Sequence, residues 1–78
     1  MTPLAIVATV GGIDVEARHY RPAEIAVLAG VSRQQIYRMI ARGDIVSIRL
    51  GEAVRVPPAE VVRLLREGVP SEAGAAHG

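Results

Sequence analysis

One short segment constrains the fold of this chain more than any other: SRQQIYRMIARG, residues 32–43. Ser32 followed three residues later by Gln35 has the spacing of a helix N-terminal capping box, and Gly43 is a common helix stop. The apolar positions between them recur at helical spacing: Ile36, Met39 and Ile40. The polar and aromatic positions fall off that stripe: Arg33, Gln34, Tyr37, Arg38 and Arg42. The segment therefore predicts an amphipathic helix from Ser32 to about Arg42.

A second helix is predicted immediately before this one. Pro22 has the position of a first-turn proline, Glu24 follows it, and Gly30 stops the pattern. Apolar residues recur at helical spacing in between: Ile25, Leu28 and Ala29. Only Gly30 and Val31 separate this helix, about Pro22 to Ala29, from the capping serine of the next. Two short helices joined by such a turn have the spacing of a helix-turn-helix unit.

The residues that follow alternate in the manner of β-strands. The runs IVSIRL and AVRV lie on either side of Gly51-Glu52, which predicts a small hairpin. Alternation assigns the first run to two sides: Val46, Ile48 and Leu50 on one, Ser47 and Arg49 on the other. This hairpin is predicted to lie directly after the two helices.

A third helix is predicted after the hairpin, because Pro57-Pro58 ends the second strand and supplies a first-turn proline. Its apolar stripe is Val61, Val62, Leu64 and Leu65, and its stop signals are Gly68 and Pro70. Two arginines of this helix are expected to face water and to pair with acids near helical spacing: Arg63 and Arg66 with Glu60 or Glu67. Residues 69–78, rich in Gly and Ala, are predicted to be a disordered tail.

The chain begins with two short apolar runs around Gly11-Gly12, LAIVATV and IDVEA. Two glycines between such runs predict a hairpin turn, so residues 1–19 are interpreted as an N-terminal extension that forms a β-hairpin. An isolated hairpin is marginal in water, so it needs to lean on the rest of the domain or on another copy of the chain. Residues 20–68 form the main predicted domain, and no internal repeat is present.

Composition limits the function. All nine arginines lie between residues 18 and 66 with four acids, a net charge of +5, and there is no lysine. An enzyme is not expected, because the sequence shows no Ser/His/Asp arrangement, paired carboxylates or glycine-rich phosphate loop. No metal or cofactor is expected, because Cys is absent and His19 and His77 stand alone. The run PLAIVATV is too short to span a bilayer and lacks the basic residues that precede a signal-peptide core, so a cytoplasmic protein is expected.

The outward side chains of the central helix suit DNA. Arginine can fork onto guanine O6 and N7, and glutamine can pair with adenine N6 and N7, in a major groove that admits one helix. The candidate DNA-binding residues are Arg21, Ser32, Arg33, Gln34, Tyr37, Arg38, Arg42, Arg49 and Arg55. Several of them have an alternative role: the α-helical face from Arg33 to Arg38 as a solvated surface, Arg21 as a solvated side chain, Ser32 as a cap, and Arg42 as a cation at the helix C-terminus.

The run from Tyr20 to Gly68 resembles the excisionase-type winged helix-turn-helix domain, which is related to the MerR and AlpA DNA-binding domains. The matching segments are EIAVLAGVS, IYRMIARGDI, IRLG with VRV, and PAEVVRLL. The resemblance implies a mainly α fold with small β, three short helices and a β-hairpin wing. It also implies a recognition helix in the major groove of double-stranded DNA and a wing at the adjacent minor groove or backbone. Implied roles are excision of an integrated element together with an integrase, or transcriptional regulation in a phage or mobile element.

Two features depart from that family pattern. The wing tip is Gly51-Glu52-Ala53, where a basic tip is common, and a carboxylate beside phosphate is repulsive. Arg49 and Arg55 are expected on the outward sides of the wing strands, from which they could reach the DNA backbone. The N-terminal hairpin is the second departure, and it could pack on the domain, self-associate or bind a recombinase. These features also leave open a protein-interaction module that uses the edge of the N-terminal hairpin.

Overall fold

Short helices and hairpins alternate along the chain in the computed structural model, which describes residues 4–68. The elements in chain order are β1 (Ile6–Val10), β2 (Ile13–Glu16), α1 (Pro22–Ala29), α2 (Arg33–Arg42), β3 (Ile48–Leu50), β4 (Ala53–Arg55) and α3 (Pro58–Glu67). The strands form two separate antiparallel pairs, β1 with β2 and β3 with β4. This is a winged helix-turn-helix with an added N-terminal hairpin, as the sequence predicts. The predicted disordered tail, 69–78, lies outside the described residues.

The turn between α1 and α2 is short because glycine ends α1 in a left-handed conformation. Gly30 has φ 73°, and the Val31 N–H donates to the Ala26 carbonyl oxygen at 3.0 Å. That bond satisfies a carbonyl that the helix end would otherwise leave unpaired. Helix α2 stops in the same way at Gly43, with φ 84°. Both predicted glycine stops are therefore confirmed.

A single core joins all three helices, the N-terminal hairpin and the residues at the two ends of the wing. Its buried apolar residues are Val15, Tyr20, Ile25, Ala26, Ile36, Met39, Ile45, Val56, Val61, Val62 and Leu64. Ile36 and Met39 of α2 are completely buried, whereas Ile40 is only partly covered. Without Phe or Trp, the core is filled mostly by branched aliphatic side chains, together with one tyrosine, one methionine and one alanine. The apolar stripe predicted for α2 is the side that packs into the domain.

The N-terminal hairpin packs on the domain. Helix α3 contacts both β1 and β2, and Val15 of β2 is completely buried in the shared core. The strands pair from Ile6 with Glu16 to Val10 with Ile13, which leaves Gly11-Gly12 as the predicted turn. Of the alternatives that the sequence left open, packing against the domain is shown. Self-association and recombinase binding remain predictions.

Arg18 joins this hairpin to α1, a role that the sequence did not indicate. Its guanidinium group donates to both carboxylate oxygens of Glu24, at 2.9 and 3.2 Å, and lies 3.8 Å from the ring centre of Tyr20. The Tyr20 hydroxyl in turn accepts a hydrogen bond from the Glu16 N–H at 2.9 Å. The hydrogen bonds from Arg18 hold the pKa of the Glu24 carboxyl below its ordinary value. Arg18 thus links the end of β2 to α1 through bidentate hydrogen bonds to Glu24 and a cation–π contact with Tyr20.

Candidate nucleic-acid interface

The outer face of α2 is exposed, as predicted. Arg33, Gln34, Tyr37 and Arg38 all lie on the exposed side of the helix, while Ile36 and Met39 on the opposite side are completely buried. The Tyr37 side chain, next to buried Ile36 in sequence, is 51% exposed. The N-terminal hairpin, which could in principle cover this face, packs mainly on α3 instead. Burial of one side of α2 therefore sets the direction in which its polar side chains point.

The N-terminus of α2 is capped by Ser32. Its hydroxyl oxygen accepts a hydrogen bond from the Gln35 N–H at 3.1 Å, which confirms the predicted cap. The first turn contains no acidic residue, so the positive end of the helix dipole has no carboxylate of its own helix beside it. Arg21 is exposed at the N-terminus of α1. Both helix N-termini thus carry residues predicted to meet phosphate.

Arg42, in the last turn of α2, has a partner within the chain. Its guanidinium nitrogen lies 3.0 Å from a carboxylate oxygen of Asp44, and both side chains are about half exposed. The sequence left Arg42 between a role at the helix C-terminus and a phosphate contact. In the structure Arg42 forms an ion pair with Asp44. A phosphate that binds Arg42 would have to displace Asp44 or share the guanidinium group with it.

The register of the wing separates its two arginines. Arg49 pairs with Val54, and Arg55 pairs with Ile48. Directly paired residues of antiparallel strands project on the same face, and neighbours along a strand project on opposite faces. Arg49 and Arg55 therefore lie on opposite faces of the hairpin, Arg49 exposed and Arg55 partly buried, and their contact with the DNA backbone remains a prediction. Alternation within a strand was readable from the sequence, but the register between the strands was not.

The apolar side of the first wing strand is exposed. Val46, Ile48 and Leu50 are 61%, 37% and 56% exposed. The core instead takes Ile45 before the hairpin and Val56 after it. Val56 is held further by a pair of backbone hydrogen bonds to Tyr20, both 2.8 Å. The wing therefore projects from the core and is anchored at its two ends.

A buried carboxylate on α3 makes tertiary contacts that sequence analysis missed. Glu60 is 8% exposed, and its carboxylate accepts hydrogen bonds from the Val46 N–H at 2.7 Å and from two Arg63 nitrogens at 2.8 Å each. Arg63 also donates to the Asp44 carbonyl oxygen at 2.9 Å and pairs with Glu67 at 3.2 Å. The prediction that Arg63 pairs with Glu60 or Glu67 is confirmed, since it pairs with both. Arg63 does not simply face water, however, because it also bonds the backbone before the wing. The sequence showed that Glu60 and Arg63 have the spacing of a helical ion pair. It did not show that the pair would contact the backbone of residues 44 and 46.

Acid is expected to destabilise the protein. Hydrogen bonds from Arg63 hold the pKa of Glu60 below its ordinary value of 4.5, as those from Arg18 do for Glu24. A carboxyl group whose folded pKa is lowered stabilises the fold above its unfolded pKa, and that stabilisation is lost as the pH falls through the folded value. The midpoint of thermal unfolding, followed by circular dichroism, should therefore drop below about pH 4.5. The double variant Glu24→Gln, Glu60→Gln should show a flatter dependence, and equal acid sensitivity in the variant would contradict the assignment.

Two negative findings apply to residues 4–68. None of the three helices there is long and apolar enough to cross a membrane. In the same span, His, Asp and Glu side chains form no group of three that could hold a metal ion.

Comparison with known proteins agrees with this geometry. A family model described as a helix-turn-helix domain matches residues 20–69, well over half of the chain. The match covers α1, α2, the wing and α3, and it begins after the N-terminal hairpin. No curated protein and no solved structure matches the chain. The chain therefore belongs to the helix-turn-helix domain family.

Proposed function

We propose that this protein binds double-stranded DNA and recognises its sequence through the outer face of α2. The observation that carries the proposal is the polarity of that helix: four polar or aromatic side chains are exposed on one side, and the other side is buried by Ile36 and Met39. A helix held in this way can enter the major groove without uncovering the core. The family match supports DNA binding in general.

Each candidate residue then has a chemical role. The guanidinium groups of Arg33 and Arg38 are suited to guanine, and the amide of Gln34 is suited to adenine. Tyr37 can contribute an apolar ring surface and a hydroxyl group to the same groove. The backbone positions of Ser32 and Arg21, at two helix N-termini, favour phosphate contacts. These contacts would fix the position of α2, while the base contacts would give specificity.

The wing would contribute phosphate contacts from one of its faces. Because Arg49 and Arg55 project on opposite faces, one DNA backbone is expected to meet only one of them in a given binding mode. With few phosphate contacts, a single copy should bind weakly and depend on neighbouring copies. The logarithm of the binding constant should fall with the logarithm of salt concentration, with a slope of about −0.9 per phosphate contacted.

The biological role we propose is that of an excisionase-like recombination directionality factor, a cytoplasmic and non-catalytic protein that binds repeated sites and assists an integrase. The resemblance of residues 20–68 to excisionase-type domains supports this role. A small transcriptional regulator of a phage or mobile element is the alternative, and it would use the same site. A gene next to an integrase gene and an attachment site would favour the first role.

Selection from a randomised duplex library, followed by footprinting, tests the proposal. We expect an enriched motif and protection of the DNA at that motif, with affinity that decreases as salt is raised. Protected direct repeats would indicate head-to-tail loading, and an inverted repeat would indicate a symmetric dimer. No enrichment, together with binding that is equal for all duplexes, would reject sequence recognition.

Substitution of Ser32 is expected to separate capping from DNA contact. Ser32→Ala should lower the free energy of unfolding by about 1 kcal/mol, because the Gln35 N–H loses its acceptor. Ser32→Asp restores an acceptor and places a negative charge at the positive helix end, so stability should recover. The same carboxylate repels phosphate, so DNA affinity should fall. Thermal unfolding and DNA titration measure the two effects, and undiminished affinity of Ser32→Asp would exclude a phosphate near this helix end.

A further inference from the structure

The segment between α2 and the wing, residues 43–47, is held by side chains of α3; we refer to it as the linker. The Val46 N–H donates to Glu60 Oε2 at 2.7 Å, and the Asp44 carbonyl oxygen accepts from Arg63 Nη2 at 2.9 Å. Two backbone groups of one short segment are thus bound by two side chains that lie one turn apart on a helix. At its start, the N–H groups of Gly43, Asp44 and Ile45 donate to carbonyl oxygens at the end of α2. The contacts with α3 hold the remainder of the linker, up to the wing.

The pair that holds the linker is internally rigid. Glu60 Oε1 accepts from Arg63 Nε and Oε2 accepts from Arg63 Nη2, both at 2.8 Å, so the planar fork of the arginine is locked against the carboxylate. The Glu60 side chain is 9% exposed, and loss of a partner would leave a nearly buried charge without compensation. The Glu60–Arg63 pair therefore fixes the position of the linker relative to α3, because it contacts the linker at two points, the Val46 N–H and the Asp44 carbonyl oxygen.

The position of the wing depends on this contact because the hairpin has few others. Its second strand leads into Val56, which is buried and paired with Tyr20. Its first strand follows the linker, where Ile45 is buried and Val46 is held by Glu60. The large side chains of Val46, Ile48 and Leu50 are exposed and add little packing. If the linker contact is lost, the first strand keeps the burial of Ile45, the backbone hydrogen bonds of residues 43–45 to α2 and its pairing with β4, but no contact from residues 46–50 to α3 side chains.

We propose that Glu60 and Arg63 are positioning residues for DNA binding, which fix the wing relative to α2 so that both can contact one duplex at once. The inference rests on the proposed DNA-binding function. Neither residue needs to touch DNA, because both act through the backbone of the linker. When either residue is replaced, we expect the wing to lose its contacts with DNA, whereas α2 keeps its contacts with the bases.

The test compares Glu60→Gln with Glu67→Gln. Both replace a carboxylate of α3 that pairs with Arg63, but the Glu67 side chain is 63% exposed and its pairing lies outside the linker. On the selected duplex, Glu60→Gln should weaken binding about tenfold and reduce the salt slope by about 1, the value for one phosphate contact. Glu67→Gln should change binding by less than about twofold, as expected for an exposed ion pair. Binding is measured below the unfolding temperature of each variant.

A double-mutant cycle shows whether Glu60 acts through the wing. The combined substitution Arg49→Ala, Arg55→Ala should weaken binding in the wild-type background and have little further effect in Glu60→Gln. Arg38→Ala on α2 should keep its full effect in both backgrounds. An equal effect of the wing substitution in both backgrounds, or no effect in the wild type, would overturn the inference. Arg63→Lys keeps the charge but cannot bridge Glu60 and Asp44 in the same way, and it replaces Glu60→Gln in the cycle if that variant does not fold.

A measurement without DNA separates this inference from the proposed function. Residual dipolar couplings of the free protein report the orientation of the wing relative to α2. We expect this orientation to become averaged in Glu60→Gln and to stay fixed in Glu67→Gln. An unchanged orientation in Glu60→Gln would overturn the inference even if the wild-type protein binds DNA. An averaged orientation together with a wild-type protein that binds no duplex would instead place the failure in the proposed function.

Discussion

Replacing Ile36 by alanine is expected to lower the free energy of unfolding by about 2 to 5 kcal/mol. Ile36 is completely buried, and the substitution removes methyl and methylene groups from a core that has no Phe or Trp to fill the space. A domain of this size has only a few kcal/mol of total stability, so a large part of the population should be unfolded near 37 °C. Urea denaturation and thermal unfolding, both followed by circular dichroism, measure the change.

Tyr37→Ala is the matched control for this prediction. Tyr37 is the next residue of α2 and is 51% exposed, so its loss should change the free energy of unfolding by less than about 0.5 kcal/mol. DNA binding by this variant should nevertheless weaken, since the ring belongs to the proposed interface. Equal destabilisation by the two substitutions would mean that α2 does not have the buried and exposed sides described above.

Replacing Arg38 by alanine is expected to weaken binding to the selected motif by about 1 to 3 kcal/mol and to relax the preference at one or two base pairs. The reason is that a bidentate contact to a guanine edge would be lost, while the phosphate contacts would remain. Repeating the library selection with the variant shows at which base pairs of the motif the sequence preference is lost. Titration of the motif and of an unrelated duplex gives the change in discrimination.

Arg66→Ala is the control, because Arg66 is an exposed arginine of α3 outside the proposed interface. It should leave both the motif and the affinity nearly unchanged. Of the variants Arg49→Ala and Arg55→Ala, the one that removes the wing's phosphate contact should weaken all duplexes about equally and reduce the salt slope by about 1. If Arg38→Ala weakened every duplex by the same factor, Arg38 would be a phosphate contact and the readout would have to come from other residues of α2.

Local patterns were sufficient for the helices, whereas β3, Ile48–Leu50, is shorter than the predicted run 45–50. The bounds of α1, Pro22–Ala29, are those predicted, and α2 follows its predicted cap at Ser32. These features are readable because a cap, a first-turn proline or a left-handed glycine acts within a few residues of its position in the chain. The exposed face of α2 was predicted for a similar reason, since apolar periodicity indicates which side of a helix enters a core.

The path of the wing and the ion pairs that support it depended on tertiary structure. Glu60 and Val46 are 14 residues apart, and the periodicity of α3 gives no sign that this carboxylate would be buried against the linker. The two wing arginines lie on opposite faces because of the register between β3 and β4, which depends on how the turn closes. The contacts of Arg18 with Glu24 and Tyr20 lie within six residues, but they cross the turn between β2 and α1, which no helix or strand periodicity describes.

Sequence alone thus determined the helices, the hairpins and the polar face of α2, because each of these arises from interactions between residues close together in the chain. Tertiary structure decided how the hairpins attach to the helices and which charged groups hold them there. The physical reason is that a hydrogen bond between distant segments depends on the relative placement of whole elements, and that placement follows from packing the shared core.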